Sequence, residues 1–134
     1  MSAGRLHLRV VSPERVVLEA EVESLSLPGA IGQLGILPGH AHLITSLRTG
    51  VLETHSGNAI HRVAVFGGFA EVGDDTVTVL ADGTALPEEI DPATAQADKV
   101  AAEEALKTAG AGEISGLRER IDAAEARIAT ARTH

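Results

Sequence analysis

Cysteine, tryptophan and tyrosine are absent from the 134 residues, and the aromatic set is two phenylalanines. Without cysteine there is neither a disulfide framework nor a thiolate metal site, which suits a reducing compartment without requiring one. With so few rings there is no stacking platform for bases or sugars, and the core has to come from Val, Leu, Ile and Ala within a composition that is 44% apolar. Eleven basic side chains against nineteen acidic ones leave a formal net charge of −8. That balance disfavours nucleic acid and anionic membrane surfaces and suits a protein partner of basic character. No apolar run approaches the roughly 20 residues that cross a bilayer, so no direct membrane insertion is expected. The start, Met1-Ser2-Ala3-Gly4-Arg5-Leu6-His7, passes straight into an alternating pattern with no apolar signal core and no Arg/Ser-rich transit segment. The expectation is a chain neither exported nor imported.

Catalytic constellations are missing too. His40 and His42 are the only close pair among six histidines, and no His-Glu-x-x-His or clustered carboxylate spacing accompanies them. Neither a Gly-x-Ser-x-Gly elbow nor a Walker A loop occurs, and Gly67-Gly68 follows a strand pattern with no helix behind it. No catalytic residue, metal ligand or cofactor is expected, and the chain reads as a non-enzyme.

What is present is a glycine-punctuated apolar run. Leu27-Pro28-Gly29 and Leu37-Pro38-Gly39-His40 bracket Ala30-Ile31-Gly32-Gln33-Leu34-Gly35-Ile36. Gly29, Gly32, Gly35 and Gly39 tolerate positive φ and the two prolines fix theirs, so two tight reversals flank short apolar segments. Around this run, residues 5 to 86 are strand-like: Leu6, Leu8 and Val10 alternate with His7 and Arg9, and Val16-Val17-Leu18, Val22 to Leu27, Leu43-Ile44, Gly50-Val51-Leu52, Ile60 to Phe66 and Thr76 to Leu80 follow at short spacing. Ser56-Gly57-Asn58 and Gly73-Asp74-Asp75 supply turns. The fold class is mainly β plus α: an N-terminal antiparallel β-sandwich or flattened barrel of about eight to ten strands, then a C-terminal helical hairpin.

The change falls at Leu86-Pro87, dividing the chain into 1–87 and 88–134. Asp91 is placed to cap a helix with Pro92 at its first position. The run from Ala93 to Ala109 is Ala-, Glu- and Lys-rich, with Lys99, Glu103 and Lys107 four apart for mutual support, and Gly110-Ala111-Gly112 ends it. A second helix starting between Glu113 and Gly116 carries Ile114, Leu117, Ile121, Ala124 and Ile128 on one stripe. The first helix offers Ala93, Ala97, Val100, Ala101 and Leu106, a thin apolar face that needs a partner surface.

The string Gly-Gln-Leu-Gly-Ile-Leu-Pro-Gly-His-Ala at 32–41 closely resembles the signature of the epsilon subunits of bacterial F-type ATP synthases. Gly67-Gly68-Phe69-Ala70-Glu71-Val72, Val77-Thr78-Val79-Leu80-Ala81-Asp82 and Glu89-Ile90-Asp91 resemble further markers of that family, in the right order. The resemblance implies a non-catalytic central-stalk subunit of a proton-translocating ATP synthase, peripheral to the cytoplasmic face of a bacterial plasma membrane. By the same resemblance, Ala30, Ile31, Gly32, Gln33, Leu34 and His40 meet the c-ring and the gamma subunit. Gln33 stands where many relatives place a carboxylate, and His42 where proline is common. An exposed apolar patch near Ile31, Leu34 and Ile36 is expected on the free protein.

In the family the hairpin extends along gamma and restrains ATP hydrolysis, which gives Arg118, Arg120 and Arg127 of the second helix contacts with the catalytic beta subunits. Arg120 and Arg127 lie seven apart on one face. Some relatives bind ATP through Ile-Asp-x-x-Arg-Ala; the matching run here is Ile90-Asp91-Pro92-Ala93-Thr94-Ala95, and Thr94 replaces the arginine. A hydroxyl cannot supply bidentate charged recognition of phosphate, so weak or absent nucleotide binding is expected at Ile90 and Asp91, with Asp91 serving as a cap. The competing reading is a free-standing β-sandwich interaction module with a helical dimerisation tail.

Overall fold

The computed structural model describes residues 4–132, so 1–3 and 133–134 of the two expected segments lie outside the described residues. Eight strands precede two helices: β1 Leu6–Val11, β2 Val16–Val22, β3 Ser24–Gly29, β4 Gly32–Ile36, β5 Leu43–Ser56, β6 Ala59–Gly73, β7 Thr76–Ala81, β8 Thr84–Ala85, α1 Pro92–Leu106 and α2 Ile114–Ala131. The strand order is β2-β1-β7-β6-β5-β3-β4, with β8 on β6. β2 and β4 stand at the two ends, so the sheet does not close and the architecture is a sandwich. Every pair is antiparallel except β1 with β7, which run parallel. The direction of β7 is already set by its hairpin with β6, and β1 adds to its free edge.

The sandwich is made by two long strands that serve both layers. β5 pairs with β3, while β6 pairs with β8 over its first half and with β7 over its second. Between the halves, the β5–β6 register passes from Leu47↔Gly68 to Thr49↔Phe66, leaving out Arg48 and Gly67. Gly67 and Gly68 have φ of +86° and +129°, and a Cβ on Gly68 would collide with the Leu80 carbonyl oxygen. The glycine pair is where the strand bends from one layer to the other, a conformation L side chains rarely adopt. Inward-facing Leu6, Leu8, Val10, Leu27, Ile36, Leu52, Val63, Val65, Val77 and Val79 fill the space between the layers.

The glycine-punctuated run forms the β3–β4 hairpin and the turn after it. Of its four glycines, Gly32 and Gly39 take positive φ, at +142° and +83°, whereas Gly29 and Gly35 stay in ordinary strand conformation. Asp74 and Asp75, with φ of 52° and 57°, make the tight β6–β7 turn that the Gly73-Asp74-Asp75 cluster predicts.

The α2 stripe falls as its spacing predicts, with Ala124 buried and Ile114, Leu117, Ile121 and Ile128 half-buried. The expected α1 face does not hold beyond Leu106. Ala93, Ala97, Val100 and Ala101 are exposed, and the helix instead buries Ala95 and Ala102, with Lys99 and Leu106 half-covered beside them. Small side chains at 95 and 102 let the two helices approach closely, and α2 rather than α1 supplies the bulk. The Lys99-Glu103-Lys107 ladder is absent as well: Lys99 reaches across to Glu125 at 3.4 Å, and Lys107 pairs with Glu104 at 2.9 Å. Among the described residues no helix is long and apolar enough to cross a membrane.

Candidate interaction surfaces

A sandwich has two outer faces, and here they differ. On the layer built from β2, β1, β7 and the adjoining halves of β6 and β5, the register places Ser46, Phe69, Leu80, Val11 and Val16 in one row across five strands. Ile44 lies in the next row, beside Glu71. Ile44 is 72% exposed, Phe69 58% and Leu80 56%. Large apolar side chains cluster on this face with nothing over them, the mark of a surface made for a partner. The groove over Ile44, Phe69 and Leu80 holds about 120 Å³, well under the roughly 300 Å³ at which ligand pockets begin, so the face suits a protein surface rather than a small molecule.

The turn at Ala30 and Ile31 borders this face. The Ala30 N–H donates to the Ser46 carbonyl at 3.0 Å, and Ile31 projects fully into solvent. The expected patch is not built as predicted, because Ile36 is buried and Leu34 packs half-covered against the core. Both lie on the inward side of β4, opposite Gln33 and Gly35. Gly32, half-buried, closes the turn. The Gln33 amide nitrogen donates to Ser26 Oγ and to the Val51 carbonyl, both at 3.1 Å, stitching β4 to β3 and β5. His40 is half-buried, with Nδ1 2.7 Å from the Ala41 carbonyl oxygen, in a loop anchored by the Gly39 N–H on Asp75 Oδ1 at 2.7 Å. The six residues thus attach to a turn, a sheet face and a loop, and do not converge on one point. Period-two alternation carried through β5, β6 and β7 signals the apolar row that the signature string obscures.

The other outer face carries the hairpin. Ala126 of α2 packs on Ala64 and Ala85 with Val51, Phe66 and Ile90 around them. Polar contacts flank this small apolar patch. Glu119 accepts from Thr49 Oγ1 at 2.5 Å, and Arg62 donates to the Arg132 carbonyl at 2.8 Å while its Nε holds Glu53 at 2.7 Å. Burial pushes the Glu53 carboxyl up, but the Arg62 and His55 hydrogen bonds and charges outweigh it and hold the group below the usual range. Arg118 and Arg120 are exposed. Arg127 is half-buried, its guanidinium 4.5 Å from the centre of the Phe66 ring. Thr130 is fully buried, and its hydroxyl has no partner among the described residues.

At the junction Ile90 is a packing residue. Asp91 receives the Thr94 hydroxyl at 2.8 Å and the Ala93 N–H at 3.1 Å, and those bonds lower its pKa. Both its oxygens are committed to capping α1.

A family model described as ATP synthase, Delta/Epsilon chain, beta-sandwich domain matches residues 5–87. An ATP synthase epsilon chain of Desulfitobacterium hafniense is 42% identical over 130 residues, spanning 97% of this chain and 92% of its own length. One from Leptospira borgpetersenii is 47% identical over 91 residues, spanning 68% of this chain and 72% of its own. A chain in the cryo-EM structure of the Euglena gracilis mitochondrial ATP synthase superposes with a TM-score of 0.81 at 21% identity, covering 91% of this chain and 78% of that one, a likeness of fold.

Proposed function

The chain belongs to the ATP synthase epsilon-chain family, and on that premise we propose that it is a non-catalytic rotor subunit whose open sheet face clamps the gamma subunit. The observation that carries this reading is the exposed Phe69, Leu80 and Val16 in one row with the half-buried Val11, and Ile44 exposed beside them. The exposed Ala30-Ile31 turn, with Gly32, Gln33 and Leu34 behind it and His40 in the following loop, is assigned to the c-ring side. The same reading divides the molecule into a rotor-binding sandwich, 1–87, and a regulatory hairpin, 88–134. Arg118, Arg120 and Arg127 of the hairpin meet the catalytic beta subunits and restrain hydrolysis. The subunit is peripheral, at the cytoplasmic face of a bacterial plasma membrane.

Phe69→Ser with Leu80→Ser tests the clamp. Each side chain has more than half its surface to cover, worth about 1 kcal/mol apiece, so capture by purified gamma should weaken roughly thirtyfold. Thermal stability should hold, since both residues are exposed. Undiminished capture refutes the assignment of this face. A full-length dimer that dissociates on the same substitutions favours pairing of two copies instead.

A further inference from the structure

Phe66 and Phe69, three residues apart on one strand, serve opposite outer faces. Phe66 lies beneath α2, and its ring is held in place: the backbone N–H donates to Gly83 at 2.9 Å, the side chain packs with Ala64, Ala85 and Ala126, and a Cβ on Gly83 would come within 3.4 Å of it. Over the face of that fixed ring stands the Arg127 guanidinium, 4.5 Å from the centroid and inside the reach of about 6 Å for a cation–π contact. Lys99 and Arg62 are paired with Glu125 and Glu53. Among the described residues no carboxylate lies within ion-pair distance of Arg127, so its charge is met by the ring alone. Arg118 and Arg120 remain open to solvent.

We propose that Phe66 is a masking residue: with the hairpin docked it occupies Arg127 and withholds this part of α2 from an acidic protein surface. A carboxylate offers the guanidinium two parallel charge-assisted hydrogen bonds, a stronger match than a ring face at a half-solvated site. An acidic partner therefore competes with Phe66 for the same group, and capture of Arg127 releases the hairpin. The identity of that partner rests on the regulatory reading above; the masking itself belongs to the free chain.

The test uses the full chain, phenylglyoxal labelling of individual arginines followed by mass spectrometry, and amide exchange along α2. In the unsubstituted chain Arg127 should label more slowly than Arg118 and Arg120. Phe66→Leu should raise Arg127 labelling and α2 exchange about threefold to tenfold while the two reference arginines stay unchanged. Arg127→Gln should raise α2 exchange equally, and it decides the matter if Phe66→Leu loses protection in β1 and β7. Against a catalytic head stripped of its epsilon subunit, Phe66→Leu should inhibit hydrolysis at lower concentration than the unsubstituted chain and Arg127→Gln only at higher. Equal labelling of Arg127 and Arg120 at the outset, labelling unmoved by Phe66→Leu, or shifts in inhibition of the same sign would overturn the proposal. Labelling that changes as expected while no chain inhibits the head upholds the mask and refutes the regulatory reading.

Discussion

Ala126→Leu should drive the hairpin off the sandwich without unfolding the sandwich. Ala126 is 4% exposed and meets Ala64 and Ala85, both buried, so the centre of the apolar contact is three methyl groups, with the half-buried Val51, Phe66 and Ile90 around them. At about 0.8 kcal/mol each the methyl groups supply roughly 2.4 kcal/mol, to which a half-exposed cation–π contact adds about 0.5 to 1. The Thr130 hydroxyl, unpartnered among the described residues, subtracts about 1, so this alanine-centred patch contributes close to 2 kcal/mol to docking. Forcing three more carbon atoms into this seam costs about 1 to 3 kcal/mol, enough to offset what the patch contributes and raise the population of free hairpin. Trypsin cleavage after Arg118 and Arg120 reads the free population, which should rise roughly tenfold or more, whereas exchange protection of the β1 and β7 amides should not move. Unchanged cleavage, or cleavage that tracks global unfolding, would refute a weak, alanine-keyed interface.

Thr130→Val removes the buried unpartnered hydroxyl and should slow the same cleavage, by a factor corresponding to about 1 kcal/mol. Gly68→Ala places a methyl group against the Leu80 carbonyl at a φ of +129° and should cost about 3 kcal/mol or more. Its thermal midpoint should fall well below that of Gly57→Ala, which has positive φ in open space. Acid should loosen the end of α2 near Arg132. Glu53 titrates below its usual range, so its stabilising contribution is full above about pH 4.3 and is lost as pH falls through the depressed folded value. Protection of the last α2 amides followed from pH 6 to 3 should show this loss, and Arg62→Met should abolish the pH dependence.

How much was legible in the sequence follows from the range of each signal. Alternation of apolar residues marked the strands because a half-buried strand repeats every two residues, and the Gly73-Asp74-Asp75 and Asp91-Pro92 clusters marked a turn and a helix start because their backbone chemistry is local. The continuation of the Ile60 strand through Gly67-Gly68 to Gly73 was hidden, since a double glycine looks like a break until Leu80 is seen against it. Leu34 and Ile36 resembled an exposed patch because a glycine-spaced string conceals which side of β4 faces the core.

The residues by themselves determined most of the elements and the family, since these rest on periodicity, local turn chemistry and motif order. Only the packed molecule decided which apolar side chains stay uncovered. Phe69, Leu80 and Ile44 come from three strands and meet through sheet register, while Phe66 is covered because α2 lands on the other layer. The face of α1 was likewise settled by close approach of Ala95 and Ala102 to a neighbouring helix. Contacts between residues far apart in sequence leave no local trace, and it is those contacts that separate the face covered by the hairpin from the face left for a partner.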